Sequence, residues 1–393
     1  MYCPTTPRHR LSGRIALAAL IFLHGCVTPQ PPTPEPRATV RFEASLWSQL
    51  PGWGADQSHE VWSAFLQTCN AKNSPAALAN ACAAARPLAV ANPAQARAFF
   101  ELHFTPYRIV RKEAHATFNT GLITGYYEPL LRGSRNPSAI FAIALYAPPD
   151  DMLTLELGDV FPELQGKRVR GRLQGKKVLP YYDRSALQHH PSLDGKELVW
   201  VDSAIDAFFL EVQGSGRVQL DNGSVIRLAY ADQNGQPYRS IGRYLVEKGE
   251  LTLEESSAPA IRSWIEANPT RMQQVFSANP SVVFFREETI DDLSQGPKGS
   301  LGVPLTAGRS VAVDPAFIPL GAPLFLSTTY PTTEAPLQRL VMAQDTGGAI
   351  RGPVRADLFW GFGASAGESA GLMKQQGQMW LLWPKGQALP SVQ

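Results

Sequence analysis

The last third of the chain is cut into short apolar runs, each closed by an aspartate, glycine or proline, and this punctuation restricts the fold more than any other feature. Residues 282–286, 310–314 and 323–326 read as buried strands. Leu340, Val341, Met342 and Ala343 read as another that ends at Asp345, Gly347 and Gly348 permit a turn, and Leu358 with Phe359 resumes the β pattern. Residues 379–383 close the sheet. Asp345 and Asp357 therefore stand at strand ends or turns. On local pattern alone, Asp345 reads equally well as a turn residue bonding its own backbone and Asp357 as a solvated surface acid.

Upstream, residues 139–147, 169–173, 198–205 and 208–212 are expected as short strands separated by turns, as a small barrel or sandwich requires. In this reading Phe209 to Gln213 is a strand that runs into a Gly214-Ser215-Gly216 turn, and Asp221-Asn222-Gly223 makes a second hairpin. Phosphate binding at that Gly-x-Gly is disfavoured, because no helix follows it. Residues 121–129 also read as β. Glycines beside Tyr126 and Tyr127 suit a strand that approaches a ligand closely, and tyrosine faces stack on sugar rings, although core tyrosines give the same pattern. Helices flank these strands: Ser58 is expected to cap one carrying Val61, Phe65 and Leu66, and Asn92-Pro93 opens another. Further helices are expected at 240–248, ending at Gly249, and at 258–266 and 271–276. The class is mainly β with flanking helices (α+β), and 393 residues suit two domains.

The N-terminus has a different character. Arg8, Arg10 and Arg14 precede an apolar run from Ile15 to Leu23 that is too short to span a bilayer and reads as a signal segment, residues 1–25. Gly25-Cys26 at its end resembles a lipobox, which would make Cys26 the lipidated first residue, on the periplasmic face of a Gram-negative outer membrane. Prolines 29, 31, 32, 34 and 36 make residues 26–40 an extended tether, reaching some 30 to 40 Å at about 3.1 Å per residue. Taking the three leader arginines from the 36 Lys and Arg leaves 33 bases against 34 acids, so no nucleic-acid-scale basic excess remains. Cys69 and Cys82 are left as a disulfide pair or as two reduced core cysteines.

The residues also narrow the chemistry. Histidines 59, 103, 115, 189 and 190 lack zinc-site spacing, and there is no Gly-x-Ser-x-Gly elbow, so no metal, no cofactor and no acyl-transfer site is implied. Asp314, Asp345 and Asp357, each punctuating a β segment, point to glycosidic chemistry by carboxyl groups. Asp314 also reads as an Asp-Pro turn opening.

These residues carry a resemblance. Asp314 in Val-Asp-Pro-Ala-Phe-Ile-Pro-Leu-Gly, Asp345 in Ala-Gln-Asp-Thr-Gly-Gly-Ala-Ile-Arg-Gly and Asp357 in Arg-Ala-Asp-Leu-Phe-Trp-Gly are similar to the three-aspartate domain of the membrane-bound lytic murein transglycosylase A family. Residues 124–129, 212–216, 238–242 and 279–285 extend the resemblance to about residues 100–385. It implies a double-psi β-barrel catalytic domain from residues 41–124 and 291–393, with a second β-barrel, 125–290, inserted. It also implies lytic exotransglycosylase activity on peptidoglycan glycan strands, anhydro products, and proteins of cell-wall synthesis among the partners. Asp357 maps onto the catalytic acid, with Asp345 and Asp314 supporting and Thr124, Tyr126, Gln213 and Ser215 at the glycan. One departure is local: Arg355-Ala356 stands where the family pattern has His-Phe.

A single acid suffices if the sugar's own C6 hydroxyl attacks C1. At an unperturbed pKa of about 3.9, only around one aspartate in a thousand is protonated at pH 7, so a raised value is expected for Asp357. Two other readings stay open: a hydrolase in which Asp345 activates water, and a wall protein that grips glycan without cutting it.

Overall fold

The computed structural model describes residues 39–113, 116–165, 169–290 and 292–391. The signal segment, Cys26 and the tether as far as residue 38 lie outside the described residues. Residues 39 and 40, expected at the end of the tether, instead open β1 (Thr39–Ala44), which pairs antiparallel with β2 (Phe104–Lys112). The short β3 (Thr117–Phe118) pairs with the far end of β2. Helices α1 (Trp62–Asn70), α2 (Ala79–Ala85) and α3 (Pro93–His103) lie between β1 and β2 in sequence.

Asn92 caps α3 as expected, its side chain accepting from the Gln95 N–H with Pro93 in the first turn. Ser58 is not a cap. It is fully buried in a 3-10 turn ahead of α1, where its hydroxyl donates to the Pro93 carbonyl across 3.2 Å and ties that turn to the start of α3. A disulfide joins Cys69 of α1 to Cys82 of α2. Phe65, Phe99, Phe100 and Phe104 pack edge to face over Phe325, Leu340 and Trp380 of the neighbouring sheet.

After β4 (Gly121–Glu128) the chain leaves this sheet. It builds β5 (Leu130–Ser134), β6 (Ile143–Tyr146), β7 (Leu153–Leu155), β8 (Val169–Gln174), β9 (Lys177–Pro180), α4 (Arg184–Leu187), β10 (Glu197–Val201), α5 (Ala204–Gln213), β11 (Ser215–Leu220) and β12 (Val225–Gln233). Next come α6 (Ile241–Glu247), α7 (Ala258–Ala267), α8 (Met272–Ser277) and β13 (Val283–Glu288). Six of these strands form a second sheet in the order β13-β12-β11-β5-β10-β6, while β7, β8 and β9 form a third.

Residues 204–205 and 208–213, expected as parts of two strands, belong to one helix, α5. Ser203 accepts from the Asp206 N–H to cap it, and Gly214, left-handed at φ 80°, ends it. Ala207 and Leu210 face the core of the second sheet and Phe208 packs with α6, α7 and α8. The apolar run Phe208-Phe209-Leu210 conceals that helical spacing, because a short buried run has the same appearance in either state. Gly214-Ser215-Gly216 is therefore a helix-to-strand junction, and of the two expected hairpins only β11–β12, turning at Asp221-Asn222-Gly223, forms.

The chain then returns as β14 (Ser310–Val313), β15 (Pro323–Thr329), β16 (Pro336–Asp345), β17 (Ala356–Phe362), α9 (Ala364–Leu372) and β18 (Lys374–Pro384). Strand β18 pairs with β15 on one side and with both β4 and β2 on the other, so β18-β15-β16-β14-β17-β4 closes into a six-stranded ring. Two of its ladders, β14–β16 and β17–β4, are parallel. This is the double-psi β-barrel, filled by Ile123, Val311, Val313, Leu324, Val341, Leu358 and Leu381.

Glu128, at the end of β4, is fully buried between two arginines. Arg217 Nε donates to it at 2.8 Å and Arg227 Nε at 2.5 Å, and both guanidinium groups also donate to the Gln295 carbonyl. One carboxylate thereby joins a barrel strand, two strands of the second sheet and the segment leading back to the barrel. Removing it would leave two buried cations unpaired, a change that costs about 3–5 kcal/mol. Glu128→Ala is expected to lower Tm by many degrees in thermal denaturation, and Glu128→Gln by less; an Ala variant as stable as the parent would contradict the clamp.

Candidate functional site

Barrel register aligns the predicted acids. Thr124 pairs with Asp357, Asp357 with Ala312, and Ala312 with Asp345, giving one row across β4, β17, β14 and β16. Neighbouring strands lie about 4.8 Å apart, so Asp357 and Asp345, two strands apart, have Cα atoms separated by roughly 10 Å, with a register shift in the β14–β16 ladder between Val311 and Ala312. Residues in register on adjacent strands project from the same face. Consistent with this, the Thr124 hydroxyl donates to Asp357 Oδ1 at 2.5 Å. Tyr126, two residues further along β4 and hence on the same face, donates from its hydroxyl to Asp345 Oδ2 at 2.9 Å and packs its ring against Phe359.

The two acids are treated differently. Asp345 Oδ1 accepts from the Ser300 N–H, the Ser300 hydroxyl and the Thr346 N–H, each at 2.9 Å, so that with Tyr126 four donors hold this carboxyl. Among the described residues, Asp357 has a single donor, Thr124. Both side chains are only partly covered, yet the surrounding protein disfavours their ionised forms. Burial pushes Asp357 up to about 6; the Thr124 hydrogen bond and the Arg355 cation pull it down, and the Asp345 charge adds to the rise. Burial also raises Asp345, against the pull of its four donors. Burial and the neighbouring Asp345 carboxylate push the Tyr126 phenol well above its usual range, so it remains a donor.

Thr124, Tyr126, Asp345 and Asp357 thus come together. Gln213, the last residue of α5, reaches the same strand, its Oε1 accepting from the Tyr127 N–H at 3.1 Å. Ser215 belongs to the second sheet, paired with Ala229. Asp314 is buried away from this row and accepts from the Ala316 N–H at 3.2 Å and the Gly352 N–H at 2.8 Å. It staples the turn after β14 to the loop before β17, the structural role that an Asp-Pro turn allows.

Sequence reasoning missed Ser300. It lies in a Gly- and Pro-rich stretch with no periodic pattern, and only the fold brings it to Asp345. Gly299 before it lacks room for a side chain: a Cβ would come within 2.5 Å of the Gln344 carbonyl and 3.2 Å of the Asp345 Cβ. Arg355, where the family pattern is broken, is held by hydrogen bonds to the Leu122 and Ala356 carbonyls beside Asp357.

Residues 122–286 match the family model described as the MltA specific insert domain, and residues 309–383 match that of the 3D domain. Membrane-bound lytic murein transglycosylase A of Vibrio cholerae is 32% identical over 268 residues, 66% of this chain and 65% of that protein. The match therefore spans just under two thirds of that relative's length. The crystal structure of MltA from Neisseria gonorrhoeae is 35% identical, with 91% of this chain and 97% of that one covered at a TM-score of 0.75. The lytic transglycosylase LtgG of Burkholderia pseudomallei is 45% identical, with coverage of 89% and 98% and a TM-score of 0.58.

The opposing influences on Asp357 set two shifts of opposite sign. In carboxyl-detected NMR titration, Thr124→Val should raise the Asp357 pKa above about 6 by removing a donor to its ionised form, and Asp345→Asn should lower it by removing a neighbouring negative charge. Shifts of the same sign in the two variants would refute this account.

Proposed function

The chain belongs to the membrane-bound lytic murein transglycosylase A family, and from that premise we propose that it cleaves the β-1,4 bond between N-acetylmuramic acid and N-acetylglucosamine in peptidoglycan, leaving a 1,6-anhydromuramoyl end. The observation that carries this reading is the inequality of the acids: one desolvated carboxyl with its pKa near 6, and a second held by four donors. At pH 7 an acid of that pKa is protonated in roughly one molecule in ten, against about one in a thousand for an ordinary aspartate.

Protonated Asp357 gives its proton to the glycosidic oxygen as the bond from that oxygen to C1 breaks, and N-acetylglucosamine leaves as an alcohol. The C6 hydroxyl of the same muramoyl residue forms the new bond to C1, and Asp357, now a carboxylate, takes the hydroxyl proton. The acid is restored and no water is consumed. The nucleophile is already within the substrate, which supplies the advantage of an intramolecular reaction. Thr124 stabilises Asp357 in its carboxylate phase, and the Asp345 charge favours reprotonation. A hydrolase would need Asp345 to activate water, but three of its four donors converge on one oxygen and the Tyr126 hydroxyl engages the other.

We assign glycan contacts to Thr124, Tyr126, Gln213 and Ser215. The Gln213 amide NH₂ is available for an N-acetyl carbonyl, since its oxygen is already bonded to Tyr127. Asp314 supports the site by fixing the loop before β17. The second sheet corresponds to an inserted module, residues 125–290, along which the glycan is held. Lipidation at Cys26 would tether the enzyme to the outer membrane, within reach of the wall and of proteins that build it; among the described residues no helix is long and apolar enough to cross a membrane.

Mass spectrometry of digested peptidoglycan provides the test. The expected products are anhydromuropeptides, each lighter by one water than the reducing-end form; reducing ends alone would establish hydrolysis, and no soluble product would leave binding as the function. Asp357→Asn should lower turnover by on the order of 10²–10⁴-fold, the usual contribution of a positioned acid, and the rate of the parent enzyme should fall as pH rises through about 6.

A further inference from the structure

Beside the row of acids lies a cavity of about 460 Å³ that the cleavage chemistry does not use. Arg111, Arg351 and Arg355 line it, together with Phe118, Leu122 and Gln376. Glu113, Asp314 and Asp357 each stand near one of these cations, but none is gripped by two guanidinium nitrogens, so an anion entering the cavity would still meet positive charge.

Arginines elsewhere in the chain show what a satisfied guanidinium looks like here. Arg184 grips Glu211 through two nitrogens at 2.8 and 2.9 Å, Arg135 grips Glu287 at 2.7 and 2.6 Å, and Arg309 is bound by Asp56 and Glu60. Among the described residues, no carboxylate is gripped by two nitrogens of a cavity arginine in this way. Arg111 stands 3.5 Å from an oxygen of exposed Glu113, its guanidinium lies over the Phe118 ring, and its Nε is buried without a hydrogen bond. Arg351, largely exposed, is 3.8 Å from Asp314, whose two oxygens already accept from backbone N–H groups. Arg355 uses only Nη1, toward two backbone carbonyls. Among the described residues, forked donors on all three have no hydrogen-bond partner, the arrangement that suits a planar anion.

The cavity has a fixed relation to the catalytic row. Leu122 precedes Thr124 by two residues on β4, and Arg355, just ahead of β17, precedes Asp357 by two and bonds the Leu122 carbonyl, so the cavity lies about one two-residue step, about 7 Å, from the acid. That is the scale of one pyranose ring. From this geometry we propose that the cavity is a carboxylate subsite that takes the acidic group of a muramoyl residue, either its lactyl carboxylate or a carboxylate of the peptide stem attached there. The assignment rests on the reading of peptidoglycan as substrate. It makes the enzyme a reader of muramic acid against N-acetylglucosamine, because only the former carries an acid.

Binding of labelled glycan strands to the inactive Asp357→Asn protein tests this without requiring cleavage. Three strands are compared by fluorescence anisotropy: stem-bearing strands, stripped strands with free lactyl carboxylates, and stripped strands whose carboxylates have been converted to neutral amides. The amidated strand should bind about ten-fold more weakly than the stripped one if the lactyl group is the ligand. If the stem is the ligand, only the stem-bearing strand should show that advantage. Adding Arg111→Gln and Arg351→Gln should abolish the preference while leaving affinity for the amidated strand within about two-fold, and circular dichroism and Tm would show that the variant is folded. Equal binding of all three strands, no binding of any, or a preference that survives both arginine changes would overturn the proposal. Failure of the cleavage reading would appear separately, as the absence of anhydro products from the parent enzyme.

Discussion

The parallel ladder between β4 and β17 is the contact on which the rest of the site depends. It sets Thr124 against Asp357, residues 233 positions apart in the chain, and with the β18–β4 ladder it closes the barrel. A parallel pair cannot be joined by a tight turn and needs a crossover. Here that crossover holds the whole second sheet, so the site exists only after the strands on either side of the insertion have met. The entropy lost in closing so long a loop grows only logarithmically with its length, which makes an insertion of this size tolerable.

Two acids on or beside β4 show how the same carboxyl group is put to opposite uses. Glu128 is fully buried, and Arg217 and Arg227 supply its countercharge; it joins the sheets and offers no free valence for chemistry. Asp357 has burial without full compensation: one hydroxyl, and an arginine cation whose own hydrogen bonds go to backbone carbonyls. Desolvation then dominates and holds its pKa near 6. Asp345 lies between these cases, with four hydrogen bonds and a residual rise from burial. The distribution of donors, rather than the count of acids, separates a structural carboxylate from one suited to proton transfer.

Much of this was legible along the chain. The strands at 282–286, 310–314, 323–326, 340–343 and 379–383 match β13, β14, β15, β16 and β18 with at most one residue overhanging, because their apolar runs and flanking turn residues give local and tertiary preferences that agree. Asn92-Pro93 capped α3 for the same reason. The failures occurred where tertiary packing overrode a local signal. Residues 204–213 formed a helix because Ser203 and Gly214 bracketed a segment whose Ala207 and Leu210 could pack on the second sheet, and Ser58 was drawn from a capping role into a buried bond with Pro93. The cysteine pair stayed ambiguous in sequence because bridging depends on separation, which packing of α1 against α2 settles by placing the Cα atoms 5.3 Å apart.

By itself the sequence determined which residue types were available: three punctuating aspartates, paired tyrosines beside glycines, and an arginine two places before Asp357. These are properties of composition and local order, so they survive without a fold. Only the tertiary structure decided what each group experiences. Asp314 became a staple, Asp345 a fully engaged neighbour and Asp357 the desolvated acid, while Ser300 and Arg111 entered from segments with no local mark. The physical reason is that desolvation and hydrogen bonding act through space. A carboxyl group's pKa and an arginine's free donors are set by neighbours that strand register brings together from distant parts of the chain.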